Sequence, residues 1–280
     1  MFKYRLISFP LLLLLAFLVV FWHPGGLWIF AALLLPISLA TLLEIRNIAQ
    51  KMQMPVKFFP ALAALFLLLL KYGLGELFVQ YRKFLPSALT VIILLFAVLM
   101  LMLLSDRDRE RAVKSLFATP GAVLFAALIL LPLARIYFDF GAMIFLTLIL
   151  CTKASDTGGY IVGMLSNKLM KNGNHKIVPS ISPKKSWEGT VGAALFSIGT
   201  ALIFARCGVL TLPLYGVILF GFFAFLGSFA GDLTESQLKR AVDIKDSANW
   251  IPGMGGILDV LDSFIYNAPL FYLALTSEGI

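Results

Sequence analysis

Histidine and cysteine are nearly absent, two of each in 280 residues, and Asp, Glu, Lys and Arg together make up only 14% of the chain. No zinc spacing can be built from so few ligands. Cys151 and Cys207 lie in apolar surroundings and read as buried packing residues. His23, in "FWHPGG", reads as an interfacial loop residue and His175 as part of a basic polar loop; neither is given a role. Soluble domains of this length carry about a quarter charged residues. Here 60% of the residues are hydrophobic, so the excess must face lipid. Repeat arrays, low-complexity segments and a soluble domain are also missing.

The net charge of +8 first reports topology, because loops on the cytoplasmic side retain Lys and Arg. Nucleic acid is excluded as a partner, since no basic soluble surface is long enough to track it. Anionic lipid or a phosphorylated substrate suits the charge better. The start, "MFKYRLISFPLLLLLAFLVVFW", has the basic-then-apolar order of a signal peptide. Its core is long and no small-x-small site follows, so it reads as a retained first span.

A span needs about 20 apolar residues. Such runs fall near 6–22, 27–45, 58–75, 85–104, 117–136, 139–152, 189–206, 212–231 and 257–275. The run at 139–152 is short, with 157–165 as its continuation or a re-entrant piece. With Lys3 and Arg5 inside, the inside loops are "EIRNIAQKMQMPVK", "SDRDRERAVK", 153–188 and 232–256. Nearly all basic residues then fall inside, Arg82 and Lys83 being the main exceptions. The expectation is an all-α polytopic integral membrane protein of about nine transmembrane helices, N-terminus inside and C-terminus outside. Residues 1–138 read as scaffold, with Glu44 and Glu76 explained by snorkelling or loop placement at span ends. Residues 139–280, with loops 153–188 and 232–256, read as the catalytic region.

Polar side chains gather in those two loops. In "KASDTGGYIVGML", Asp156 follows an apolar span and precedes Gly158-Gly159, where backbone N–H groups would be open to an anion. A helix cap or turn explains the same pattern equally well. In "SPKKSWEG", Ser182, Lys184, Lys185 and Ser186 suit phosphate just before a membrane re-entry; a positive-inside flank with Trp187 as anchor is the blander account. In the second loop, Asp232, Ser236, Lys239, Arg240 and Asp243 recur at helical spacing, with Glu235 bordering the same face. That helix is expected to stop after Lys245-Asp246, before Pro252-Gly253. Asp259 and Asp262, three apart, are expected on one side of the first turn of the last span.

A carboxylate at a membrane-helix centre costs roughly 3 kcal/mol on insertion scales. Two on one side repel, and each favours protonation unless a cation lies between them. Asp232, Asp259 and Asp262 with nearby Lys and Arg therefore point to a hard-cation site that handles phosphates, magnesium being the natural occupant. Headgroup-facing carboxylates are the alternative.

The stretch S-Q-L-K-R-x4-K-D-x5-P-G-x-G-G-x2-D-x2-D, from Ser236 to Asp262, resembles the C-terminal motif of the phosphatidate cytidylyltransferase (CDP-diacylglycerol synthase) family. "SDTGGYIVGML…SPKKSWEG" is similar to that family's earlier loop, and the likeness covers roughly 140–280. Met254 stands where the family usually has His, and Val260 where it usually has Arg. The resemblance implies cytidylyl transfer from CTP to phosphatidate, giving CDP-diacylglycerol and pyrophosphate. It implies Mg2+ on Asp232, Asp259 and Asp262, with a monovalent cation such as K+ sharing the site. Lys239, Arg240, Lys245 and Asp246 would be catalytic, the three cations facing phosphates; Asp156, Ser182, Lys184 and Lys185 would hold CTP or the lipid phosphate. The membrane would be a bacterial inner membrane with the site facing the cytoplasm, and a homodimer is an open option. A polyprenol kinase-like enzyme using CTP, and a transport or non-catalytic relative, are the rival readings.

Overall fold

The computed structural model describes residues 14–22, 25–74, 85–106, 108–179, 181–252 and 255–277. Lys3, Arg5, the first residues of the 6–22 run, His23, Glu76, Arg82, Lys83 and Met254 lie outside the described residues. Among the described residues the chain is helical, with no β-strand and only two isolated bridges, Lys176–Ser186 and Ile251–Gly255. Long Leu-, Phe- and Ala-rich runs dictate this, because a helix is the local structure that satisfies its own backbone where lipid cannot.

After a helical stretch over 14–21, the helices are α1 (Gly25–Lys51), α2 (Phe58–Leu68, continuing as a π-helical turn over Leu69–Gly73), α3 (Ala88–Ser105), α4 (Arg109–Phe140), α5 (Ala142–Leu169), α6 (Trp187–Arg206), α7 (Leu214–Arg240), α8 (Ile257–Leu261) and α9 (Phe264–Ser277). Of these, α1, α4, α6 and α7 are long and apolar enough to cross a membrane; α2 with its π turn and α3 are shorter apolar helices. On α3, Leu101 is 67% and Leu104 83% exposed, as lipid-facing side chains must be. The protein is an all-α integral membrane protein.

Of the two readings of 157–165, continuation holds and re-entry does not: it forms one helix with the short run at 139–152, α5, whose 28 residues span about 42 Å at 1.5 Å per residue. Two expectations change. The helix carrying Asp232 ends at Arg240, before Lys245, and Asp243 lies beyond it with φ of 54°. The last run is interrupted: α8 stops at Leu261 and α9 starts at Phe264, so Asp259 and Asp262 do not share a helical turn. Cys151 is buried as expected, whereas Cys207 is exposed in the turn after α6.

The chain forms two compact units. Unit 1 comprises Met1–Asp139 and Ala241–Val260, and unit 2 comprises Phe140–Arg240 and Leu261–Ile280. In unit 1, α2 packs on α1 and α3. The Tyr137 hydroxyl donates to the Val19 carbonyl at 2.7 Å, and Lys57 pairs with Asp106 at 2.8 Å. Glu44 on α1 is fully buried: Oε1 accepts the Ile257 amide at 2.8 Å, and Oε2 accepts the Leu258 amide at 2.8 Å and the Ser247 hydroxyl at 2.6 Å. The snorkelling account of Glu44 is therefore replaced by a hydrogen-bonded interior carboxylate.

Unit 2 is built on a close α5–α6 pair. A Cβ on Gly158 would stand 2.7 Å from the Gly192 carbonyl, and one on Gly192 2.9 Å from the Gly158 carbonyl. Only glycines let these two backbones meet, the small-residue mode of membrane helix packing. The Gly158-Gly159 step lies inside α5, so its glycines serve helix contact, and the turn or cap considered for it is absent. Ser186 caps α6 by accepting the Gly189 amide at 3.1 Å. Asn267 on α9 then ties three helices, donating to Thr152 on α5 at 3.1 Å and to the Ala224 carbonyl on α7 at 2.8 Å.

Candidate active site

Unit 2 holds a cavity of about 630 Å³. Asp156, Ser182, Lys184, Lys185, Asp232 and Asp262, six residues singled out in the sequence, all line it. The elements that bring them together are α5, the loop before α6, α7, and the break between α8 and α9. A cavity of this size suits a ligand of nucleotide dimensions.

At one side stands Asp156. Its Oδ1 accepts the Ser228 hydroxyl of α7 at 2.5 Å, and its Oδ2 accepts the Ser263 hydroxyl at 3.1 Å and the Lys153 ammonium at 3.3 Å. Lys153 also lies over the Phe264 ring, 5.4 Å from its centroid. Ser228 is one turn from Asp232, so the same face of α7 serves both aspartates.

Asp232 pairs with Lys185 at 2.8 Å and accepts the Ser236 hydroxyl at 3.3 Å. Lys185 is held further by the Phe229 carbonyl at 3.1 Å and by the face of the Phe229 ring, 4.2 Å to the centroid. The Lys-Lys step is therefore split: Lys185 is anchored against α7, while Lys184 is exposed at the cavity wall.

Asp262 sits in the helix break, where Oδ1 accepts the Ser263 amide at 2.5 Å and lies 2.8 Å from the Ser263 hydroxyl, whose single proton it shares with Asp156. Gly231 makes room for it: a Cβ there would run into the Asp262 carbonyl and stand 3.2 Å from the Ser263 Cα. The result is a carboxylate cluster of Asp232, Glu235 and Asp262, with one ligand atom from each within 4.8 Å of the others. Glu235 is fully buried and salt-bridged to Lys239 one turn on. Magnesium–oxygen bonds of about 2.0–2.1 Å put neighbouring oxygens about 3–4 Å apart, so this all-oxygen set fits a hard divalent ion with little movement.

Other sequence-selected residues lie elsewhere. Lys239 and Arg240 are in the last turn of α7 and do not line the cavity. Lys245, Asp246 and Asp259 belong to the 241–260 segment of unit 1. Lys245 and Asp246 are exposed, and Asp259 Oδ2 accepts the amides of Ser247 at 3.0 Å and Gly256 at 2.7 Å and the Ser247 hydroxyl at 2.9 Å. Val260 follows it in α8. Sequence reasoning underrated Glu235, whose i+3 spacing from Asp232 was visible, and passed over Lys153, Lys176, Ser228 and Ser263. Of these, Lys176, Ser228 and Ser263 line the cavity. His175, left without a role, pairs with Glu188 at 2.6 Å.

Fold and cavity together define a helical membrane protein with a pocket bearing both carboxylates and lysines. The model of the cytidylyltransferase family matches residues 3–277, and the chain belongs to that family. It is 43% identical over 123 residues to a phosphatidate cytidylyltransferase of Mycobacterium bovis, 44% of this chain and 38% of that one. It is 39% identical over 122 residues to the Bacillus subtilis protein of that name, covering 44% and 43%. With that of Mycobacterium leprae it shares 36% identity over 170 residues, 61% and 50% of the two chains. The matched segments thus span half or less of these relatives' length.

Proposed function

We propose that the protein transfers the cytidylyl group of CTP to phosphatidate, forming CDP-diacylglycerol and pyrophosphate. The observation that carries this reading is the unit 2 cavity, which sets an Asp232–Glu235–Asp262 cluster beside Lys185, Lys184 and Ser182 in a chain of the cytidylyltransferase family. The family's name and the names of the relatives supply the substrates.

The chemistry asks little of side-chain acids and bases. The lipid phosphate is already anionic, so its oxygen attacks the α-phosphorus of CTP without a general base, the bond to the β-phosphate oxygen breaks, and pyrophosphate leaves. What is needed is alignment and charge neutralisation. Asp232 and Asp262, with Glu235, would hold Mg2+, which when bound neutralises phosphate charge and orients oxygens. Lys185 and Lys184 would bind phosphate oxygens, Ser182 would donate to them, and Asp156 would orient Ser228 and Ser263 at the same wall. The assignment of Asp259 to the metal stands as a separate proposal, since its Oδ2 is engaged by Ser247 and Gly256. Lys239 supports this arrangement through Glu235, Arg240 and Lys245 are proposed to face the triphosphate, and Asp246 is kept as a proposed catalytic residue beside them. The bias of basic residues toward one set of loops supports a site on the cytoplasmic face of an inner membrane, where CTP is available.

The test is incubation of the purified protein in lipid–detergent micelles with labelled CTP, phosphatidate and Mg2+. Labelled CDP-lipid and pyrophosphate in equal amounts is the expected result. No CDP-lipid, or CDP release with phosphorylation of a polyprenol, overturns the reading.

A further inference from the structure

We infer that Glu44 is a positioning residue for the signature turn, fixing through Ser247 and two backbone amides the direction in which the Asp259 carboxylate points. The functional consequence rests on the cytidylyl-transfer reading; the positioning itself rests on geometry within unit 1.

Glu44 is an interior carboxylate on α1 with no exposed surface. Burial of such a group is tolerated only against good donors. It has three, all more than 200 residues along the chain: the amides of Ile257 and Leu258 and the hydroxyl of Ser247. Capping a five-residue helix calls for nothing so distant, because a local Ser or Asp does that work. The distinguishing feature is Ser247, whose hydroxyl oxygen lies 2.6 Å from Glu44 Oε2 and 2.9 Å from Asp259 Oδ2. One hydroxyl, its single proton shared between them, therefore connects the two carboxylates, while the amides of Ser247 and Gly256 also donate to Asp259.

The paired glycines of the motif fit around this clasp. Gly255 has φ of +97°, which L side chains rarely adopt. Gly256 is buried, and a Cβ there would come against the Ser247 hydroxyl and lie 2.6 Å from the Glu44 carboxyl carbon. The turn is thus shaped to receive Glu44, and a residue of the N-terminal half governs the conformation of the C-terminal motif.

The experiment uses the full chain, with E44A, S247A and the double variant, read in two ways. By hydrogen exchange, amides of the 247–259 peptide should exchange at least about tenfold faster in E44A, because their acceptor is gone. In the cytidylyl assay, each single variant should lose about 10- to 100-fold in kcat, as small misplacements near the chemistry do, with KM for CTP within about twofold. The double variant should be no worse than the poorer single, since both act along one path. Unchanged exchange in E44A, wild-type kcat in either single, or multiplied losses in the double would overturn the inference. If E44A aggregates on size-exclusion chromatography, S247A decides by the same readouts. If the wild type forms no CDP-lipid, the functional reading fails, and exchange alone decides the positioning.

Discussion

The ammonium of Lys185 lies 2.8 Å from the Asp232 carboxylate, joining the Ser-Pro-Lys-Lys loop to α7. A cation and an anion from two separate motifs are thereby held at one wall of the cavity. Replacing the lysine should free Asp232 and remove a phosphate contact together. We expect K185A to raise KM for CTP about tenfold or more, as loss of a charge-assisted bond does, with K185R recovering part of it. Steady-state kinetics with CTP varied checks this; an unchanged KM would remove Lys185 from the nucleotide contacts.

Asp232, Glu235 and Asp262 form the carboxylate cluster, so D232N and D262N should each lower Mg2+-dependent turnover by about 100-fold or more. The loss should be partly recovered at high Mg2+, and E235Q should raise the Mg2+ concentration for half-maximal rate. D259N tests the separate assignment of that residue: a raised Mg2+ requirement supports it as a ligand. A lowered kcat at unchanged Mg2+ requirement would instead mark Asp259 as a shaping group of the turn.

Gly231 gives a steric test. A Cβ there would press on the Asp262 backbone, whereas one on Gly199 meets nothing within 4 Å. G231A should therefore destabilise the protein by about 1–3 kcal/mol and lower kcat, as overpacking does, while G199A should leave both near wild type. Thermal unfolding in detergent and the cytidylyl assay, run side by side, check the pair.

Outside the spans, the hydrogen bond from Lys57 holds the Asp106 carboxyl below its ordinary value of 3.8, helped by the Asp108 amide. A depressed folded-state pKa contributes stability above the unfolded value and loses it as pH falls through the folded one. D106N should therefore unfold slightly earlier than wild type at pH 7, and the gap should close below about pH 4. Because the pair is partly exposed, the shift should be small and shrink in high salt. Melting curves at the two pH values read it directly.

Much of this molecule is legible from its residues. Apolar runs place the helices because backbone groups in lipid must be satisfied locally, and the carboxylates at 232 and 262 stand out because charge is scarce. Helix ends inside polar segments are not legible: Lys153, Asp156 and Gly158-Gly159 suggest a loop, yet they lie within α5 because close contact with α6 favours a continuous helix there. The break at Asp262–Ser263 is likewise hidden, since nothing in "ILDVLDSFIYN" forbids helix. Glu44 was least visible of all, because its partners are set by tertiary folding and its own neighbourhood resembles any span end.

The turn at Gly255 and Gly256 also bears on how this sequence can vary. Every residue that a single base change could put at either codon carries a Cβ, and the backbone angle at one position and the clasp at the other both reject it. These two positions have no tolerated neighbours in sequence space. A comprehensive library of single variants selected for activity should return glycine there and almost nothing else, whatever happens at the lipid-facing leucines.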